Sequence, residues 1–568
     1  MLVACLGYQQ LFRVADHTAS EQQQNQRRFL TPAPRGVIKD REHRVLAGNR
    51  VRTDAAINLS DLRATTPELR FAAAQRQLDR VNALIGRHGQ VNATHLERAF
   101  ARDRLTPFIL VNDLNEQEAA RLAAGLAATD PVRLLHSSER WYPHGATAAH
   151  VLGRVRREIS SGSVAGVSGL EQRHDATLKG RPGVTRLQVD AWGFPLDPPL
   201  ARTEPEPGVD LVLSLDLDLQ LAAERAMTAT LPRPRGAAVV LAVATGEILA
   251  LASEPGFDLN EVSPALPPAT KQRIDAAGGW FNRATQGLYP PGSTFKIFTA
   301  LAGLRGGTLR PDTVHSCPGF IDVGGHRFPC HNDAGHGKLA LREALAHSCN
   351  VFAYQTGLAA GPDALAAEAR RFHFDAPTGI DLPAETRRML VPDPAWKQQD
   401  GRGSWTDGDT ANLSIGQGFL RCSPLQMACA IASLARRETL TVPTLLRQPG
   451  RNPTGNRPRE PLGLADGDYT ALIGGLRAVI ETGIGRDAQV PGVTMAGKTG
   501  TAQVKRPEGI FNVAWFVAFA PVDHPEIAIA VALEGDAPGV EFAGAEHAAP
   551  IVREIVGTYF DKRTGGTR

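Results

Sequence analysis

The chain has 568 residues, with 62 Lys and Arg against 59 Asp and Glu, a net charge of +3 and a 42% hydrophobic share. That length is too great for one hydrophobic core, so two to four domains are expected. The small net charge, with no basic block interleaved with aromatics, argues against a nucleic-acid partner, and six cysteines are too few for a disulfide scaffold.

In chain order, Met1-Leu-Val-Ala-Cys-Leu-Gly7 opens an apolar stub, and residues 21–28 (EQQQNQRR) are polar. Spanning a bilayer takes roughly 20 apolar residues. Residues 1–20 therefore read as the remnant of a membrane anchor that begins further upstream, with a short buried helix end as the alternative. Residues 31–60 hold Pro32, Pro34 and Gly36 and are expected to be extended and turn-rich. Residues 61–88 and 116–128 carry apolar residues at helical spacing, so 61–130 reads as mainly helical. Glu171 and Asp175 are two carboxylates without a pocket-like setting, and a solvated face or local salt bridge is expected there.

Ala201-Arg-Thr-Glu-Pro-Glu-Pro-Gly208 is polar and proline-rich and reads as a linker. Beyond it, 211–215 is a strand, 219–230 an amphipathic helix, and 237–243 with 247–252 a hairpin. Residues 514–520 and 527–533 are two further strands, followed by a closing helix over 548–560. Helices are expected between, at 293–304, 339–357, 363–371 and 423–436. Strands at both ends with helices between predict an antiparallel sheet covered by helices, an α+β domain over 208–568. No catalytic constellation is found before residue 200.

The chemistry centres on Leu288-Tyr-Pro-Pro-Gly-Ser-Thr-Phe-Lys296. A stiff turn feeds a helix there, and Ser293 and Lys296, three apart, share one helix face. A serine needs a base to become a nucleophile, and a buried lysine can be neutral and take its proton. Ser348-Cys349-Asn350, expected inside a helix over 341–354, adds a hydroxyl able to relay a proton and an amide able to orient a lysine. Lys498-Thr499-Gly500-Thr501, expected on a strand, adds a cation, two hydroxyls for a carboxylate and close backbone approach. The backbone N–H groups of Ser293 and Thr501 would form an oxyanion hole. Gly492-Val-Thr-Met-Ala-Gly-Lys-Thr499 also fits a P-loop pattern, with the carboxylate of Glu534 ending an apolar strand in a magnesium-side position. The segment after Lys498 is a poor helix and a good strand, which counts against nucleotide binding.

The ordered set Ser-x-x-Lys, Ser-x-Asn, Lys-Thr-Gly is that of penicillin-binding proteins and serine β-lactamases. Asn282-Arg-Ala-Thr-Gln-Gly-Leu-Tyr-Pro-Pro-Gly-Ser-Thr-Phe-Lys296 resembles the active-site segment of class B penicillin-binding proteins of the elongation type. Ala33-Pro-Arg-Gly-Val-Ile-Lys-Asp-Arg41, Gly169-Leu-Glu171, Gly379-Ile-Asp-Leu-Pro383, Ser414-Ile-Gly-Gln-Gly418 and Ala548-Ala-Pro550 extend the resemblance over nearly the whole chain. It implies an elongated pedestal over 21–207 and a transpeptidase domain over 208–568 that cross-links peptidoglycan stem peptides through an acyl-serine, and it implies acylation by β-lactams. Ser293 would be the nucleophile, Lys296 the base, Ser348 the relay and Asn350 the orienter. Lys498, Thr499, Gly500 and Thr501 would hold the substrate carboxylate and oxyanion. It also implies lipid-linked glycan strands as substrate, a SEDS-type glycosyltransferase and the elongation complex as partners, and an inner-membrane anchor with the catalytic domain in the periplasm. A β-lactamase or a β-lactam sensor on the same fold is the alternative. Asn512 stands where relatives often carry His.

No cofactor is required for this chemistry. Cys317, Cys330, His336 and Cys349 nevertheless gather around the Ser-Cys-Asn segment, and three thiolates with one imidazole suit structural zinc. A Cys317–Cys330 disulfide is the alternative. Cys422 and Cys429 read as core residues.

Overall fold

The computed structural model describes residues 25–62, 66–102, 104–127, 129–158 and 163–565. The expected anchor at 1–20 lies outside these residues. Among the described residues no helix is long and apolar enough to cross a membrane.

The N-terminal half is built on one long strand, Val45–Ile57, which pairs antiparallel with Val132–Trp141 along its length and with Phe108–Leu114 near its end. Three helices cover this sheet: Pro67–Ile85, Ala93–Arg102 and Glu116–Gly125. Local sequence sets their ends. Thr66 accepts from the Leu69 N–H with Pro67 in the first turn, and Gly86 closes the same helix at φ 77°. Asn115 and Glu118 form a reciprocal capping box. The helical expectation for 61–130 is corrected at Phe108–Leu114, where Phe-Ile-Leu-Val is a strand, with Phe108 and Val111 buried opposite Ile57 and Ala55. Stiff β-branched side chains favour that conformation.

Glu171 is no solvated carboxylate. It is fully buried, bonded to Arg35 Nε at 2.6 Å and Arg140 Nε at 2.6 Å, with Tyr142 Oη at 3.3 Å. Asp175 pairs with the same Arg35 at 2.7 Å. The stretch read as a linker is also held: Pro195–Thr203 is a strand against Gly183–Val189, and Glu206 bridges Arg181. Gly208 N donates to Pro34 O, and a Cβ there would lie 1.8 Å from Leu178 O.

The C-terminal half carries a five-stranded antiparallel sheet in the order Ile248–Glu254, Gly236–Ala242, Ile527–Glu534, Gly509–Ala520, Ala496–Arg506. Strands from both ends of the domain complete it, as the α+β expectation required. Both faces are apolar because both are covered. Val239, Leu251, Trp515 and Val517 face the helical core that includes Pro424–Ala435, whereas Val240, Leu249, Phe516 and Ala518 face Leu217–Thr230 and Ala549–Gly565. The period of two thus divides the sheet between two cores. Cys422 and Cys429 lie in the first of them, as expected.

The helix expected over 339–357 is two helices, Leu341–Ala346 and Asn350–Ala360. Ser348 sits between them at φ 52°, a left-handed conformation that a serine adopts only under local constraint. That break turns the Ser348 hydroxyl inward.

Candidate active site

Ser293 lies in a single 3-10 turn, Gly292–Phe295, that runs directly into the helix Lys296–Arg305. Four contacts hold the turn. Tyr289 and Cys422 exchange backbone hydrogen bonds at 2.9 and 3.0 Å, Gly292 N donates to Gly416 O at 2.9 Å, and Trp515 Nε1 donates to Pro290 O at 3.0 Å. Tyr289 Oη donates to Glu534 at 2.7 Å. Gly292 has φ 56°, and a Cβ on it would lie 2.6 Å from Thr501 O. Only glycine brings the serine turn this close to the Lys-Thr-Gly strand.

Lys296 is buried, and its Nζ donates to Ser348 O at 2.6 Å, Asn350 Oδ1 at 2.6 Å and Ser348 Oγ at 3.3 Å. Lys498, also buried, donates to Ser348 Oγ at 2.8 Å. The Ser348 hydroxyl therefore joins two lysines. Burial disfavours the ammonium form of both, drawing Lys296 down to about 8 and Lys498 well below the usual lysine range, the latter helped by the charge of Lys296. Ser293, Ser348, Asn350, Thr499, Gly500 and Thr501 open on a single cleft of about 970 Å³. All eight expected site residues meet here, in one hydrogen-bonded cluster and the cleft wall around it. Thr499 itself is buried, and Thr501 is exposed on the cleft floor.

The P-loop alternative fails on the backbone. Lys498 and Thr499 lie within the strand Ala496–Arg506, paired to Val517 and Phe516, so no helix N-terminus is present to receive a phosphate.

Behind Ser293 is a network that the sequence reading missed. Glu534 accepts from Tyr289, from Arg283 Nε at 3.0 Å and from Arg506 Nη2 at 2.7 Å. Burial pushes its pKa up, but Arg283, Arg506 and Tyr289 outweigh that and hold it below the usual carboxylate range. The one available signal was a carboxylate ending an otherwise wholly apolar strand.

The four metal-ligand candidates also converge. Their donor atoms all lie within 4.8 Å of one another, with His336 Nδ1 3.6 Å from Cys317 Sγ and 3.5 Å from Cys330 Sγ, and the Cys330 and Cys349 sulfurs 4.0 Å apart. A tetrahedron with Zn–S of about 2.3 Å has S–S edges of roughly 3.8 Å, so the donor set fits a metal ion of that geometry. Cys330 is favoured as the thiolate by the Cys349 thiol and by the Asn350 N–H, while that same interaction pushes Cys349 up. All five described cysteines are free thiols, so Cys317 and Cys330 are not joined by a disulfide.

A serine on a 3-10 turn, two buried lysines sharing a second serine and a Lys-Thr-Gly edge strand define an acyl-serine transferase site. A family model for the penicillin binding protein transpeptidase domain matches residues 236–557, and one for the penicillin-binding protein dimerisation domain matches residues 30–213. The peptidoglycan D,D-transpeptidase MrdA of Acinetobacter baumannii is 32% identical over 94% of this chain and 82% of its own. A Helicobacter pylori penicillin-binding protein, PBP2, solved in complex with MreC, superposes with a TM-score of 0.77 at 25% identity over 95% of this chain and 99% of that one. A chain from a structure described as the coordination of polymerization and crosslinking by a peptidoglycan synthase complex gives a TM-score of 0.74 at 28% identity, over 98% of this chain and 96% of that one. The chain belongs to the penicillin-binding protein family, in its class B, MrdA branch.

Proposed function

We infer that this protein is a serine-type peptidoglycan D,D-transpeptidase of cell elongation, acylated by β-lactams. The observation that carries this reading is the Lys296–Ser348–Lys498 chain, buried beside a serine that opens on a cleft. Lys296 in its neutral form takes the Ser293 proton as Oγ bonds to the penultimate D-alanine carbonyl carbon. Backbone N–H groups of Ser293 and Thr501 receive the oxyanion. The C–N bond then breaks, and the leaving D-alanine amine takes a proton delivered from Lys296 through Ser348 Oγ. An amine of a neighbouring stem attacks the ester, loses its proton to the same base and returns Ser293 to its starting form. Asn350 orients Lys296, while Lys498 and the Thr499 and Thr501 hydroxyls hold the terminal carboxylate. Glu541 is the one carboxylate among the described cleft-lining residues and is exposed, which supports slow deacylation rather than a β-lactamase.

The domain division proposed is a pedestal over 21–207 and a transpeptidase over 208–568, with catalysis on the outer face of the cytoplasmic membrane. An MreC-type scaffold and a SEDS-type glycosyltransferase are the partners that fit, since related chains are described in a complex with MreC and in a synthase complex. Cys317, Cys330, His336 and Cys349 would hold structural zinc, whose role is to tie the Gly337–Leu339 region to the loop bearing Ser348.

Intact mass after incubation with a penicillin tests the central reading. Wild type gains one stable adduct and Ser293→Ala none. Rapid return to the free mass would mark a β-lactamase, and no adduct on folded wild-type protein would end the mechanism.

A further inference from the structure

Arg421 forms part of the cleft wall and has no charge partner. Its backbone N donates to Leu390 O at 3.1 Å, and the next residue, Cys422, is bonded to Tyr289 of the nucleophile turn. Its position relative to Ser293 is thereby fixed. The guanidinium donates through Nη1 to Gly418 O at 2.8 Å and Leu420 O at 2.7 Å. Nε and Nη2 have no protein partner among the described residues, and no carboxylate lies within salt-bridge distance. The buried arginines Arg35, Arg140 and Arg283 each face a carboxylate. A half-buried guanidinium without one keeps part of the cost of its desolvation, which the two carbonyl contacts offset incompletely. Burial accordingly lowers its pKa.

The surroundings select an anion. The carboxamide-bearing Asn412 and Gln417 line the same wall, and Arg327 and Lys505 add two cations to the lining against the single Glu541. A planar fork with two free donors matches a carboxylate. The terminal D-alanine carboxylate is already assigned to Thr499, Thr501 and Lys498 on the facing strand. A stem peptide carries others: the free α-carboxylate left by a γ-glutamyl link, or that of an acidic third residue.

We propose that Arg421 is a specificity-determining residue that receives a stem-peptide carboxylate other than the terminal one. This rests on the transpeptidase reading above, and the test separates the two. Synthetic pentapeptides ending in D-Ala-D-Ala, with internal carboxylates free or amidated, are offered as donor and, separately, as acceptor to wild type, Arg421→Lys and Arg421→Gln. Wild type prefers the free form by about tenfold or more in kcat/KM in one arm. Arg421→Gln loses that preference by lowering the free-acid rate alone, and Arg421→Lys keeps part of it. Penicillin acylation, which uses no internal stem carboxylate, stays within about threefold in both variants. Discrimination in the donor arm assigns the carboxylate to the acylating stem, and in the acceptor arm to the attacking one. Equal rates for free and amidated peptides in both arms would overturn the proposal, as would a parallel loss of penicillin acylation in Arg421→Lys and Arg421→Gln. Failure of wild type to be acylated at all would instead remove the transpeptidase reading.

Discussion

At the scale of single residues, reactivity follows from where two lysines are placed. Lys296 is drawn down to about 8, chiefly by burial, with nearby thiolates opposing the shift. As a general base it works only when neutral. Below that pKa the penicillin acylation rate therefore rises about tenfold per pH unit, and it levels off above pH 8–9. Stopped-flow acylation between pH 6 and 10 checks this, and a flat profile through pH 8 would remove Lys296 as the base. Much of this was legible locally: the helix puts Ser293 and Lys296 on one face, and the residue types define the chemistry. The motif roles anticipated that Lys296 meets Ser348 and Asn350; what was not legible is the geometry, with Nζ donating to Ser348 O and Asn350 Oδ1 at 2.6 Å each, because those contacts span more than fifty positions.

At the scale of elements, the break between Leu341–Ala346 and Asn350–Ala360 decides the geometry. The apolar periodicity runs through the break, so the sequence alone predicts one helix. Tertiary contacts override it: Cys349 turns its thiol to Cys330, and the positive φ of Ser348 follows. A metal ion bound by the four donors would lock that break. Metal analysis of dialysed protein is expected to give one zinc per chain. Its removal by a strong chelator is expected to lower Tm by about 5–10 °C and to slow acylation, since Ser348 and Asn350 flank a ligand. Metal-free protein with unchanged Tm, or a thiol count two short after denaturation, would sink the assignment.

At the scale of the molecule, the two halves are joined through polar contacts as well as a shared core. Ile38, Leu46, Tyr142 and Leu152 pack in one cluster with Leu213, Leu241 and Phe257. Asn260 pairs with both the N–H and C=O of Tyr142. Lys562, near the chain end, reaches Glu42, Asp216 and Asp218 at 2.6, 3.0 and 2.9 Å. Within the pedestal, Glu171 pairs with Arg35 and Arg140 at once, and Asp175 supplies a second carboxylate to Arg35. Glu171→Ala would leave Arg140 buried with no carboxylate and Arg35 with Asp175 alone, and a loss of about 3–5 kcal/mol is expected in chemical denaturation. Penicillin acylation well below the transition should be unchanged, because Glu171 touches nothing in the cleft. A stability change under about 1 kcal/mol would show the cluster to be solvated.

The sequence by itself determined the chemistry and the class of fold. Ser293, Lys296, Ser348, Asn350 and the Lys498 strand are short motifs with fixed local geometry, and period-two apolar strands at both ends of a domain have one economical closure. It also marked the Cys317, Cys330, His336 and Cys349 set, since donor types are visible without contacts. Tertiary structure alone decided the rest. Glu171 and Glu534 look like ordinary charges until the arginines they face, distant in sequence, close around them. Arg421 is unremarkable until the fold places it in a cleft wall with no carboxylate among the described residues to pair with it. The physical reason is common to all three: burial and pairing arise from contacts far apart in the chain, which no local pattern encodes.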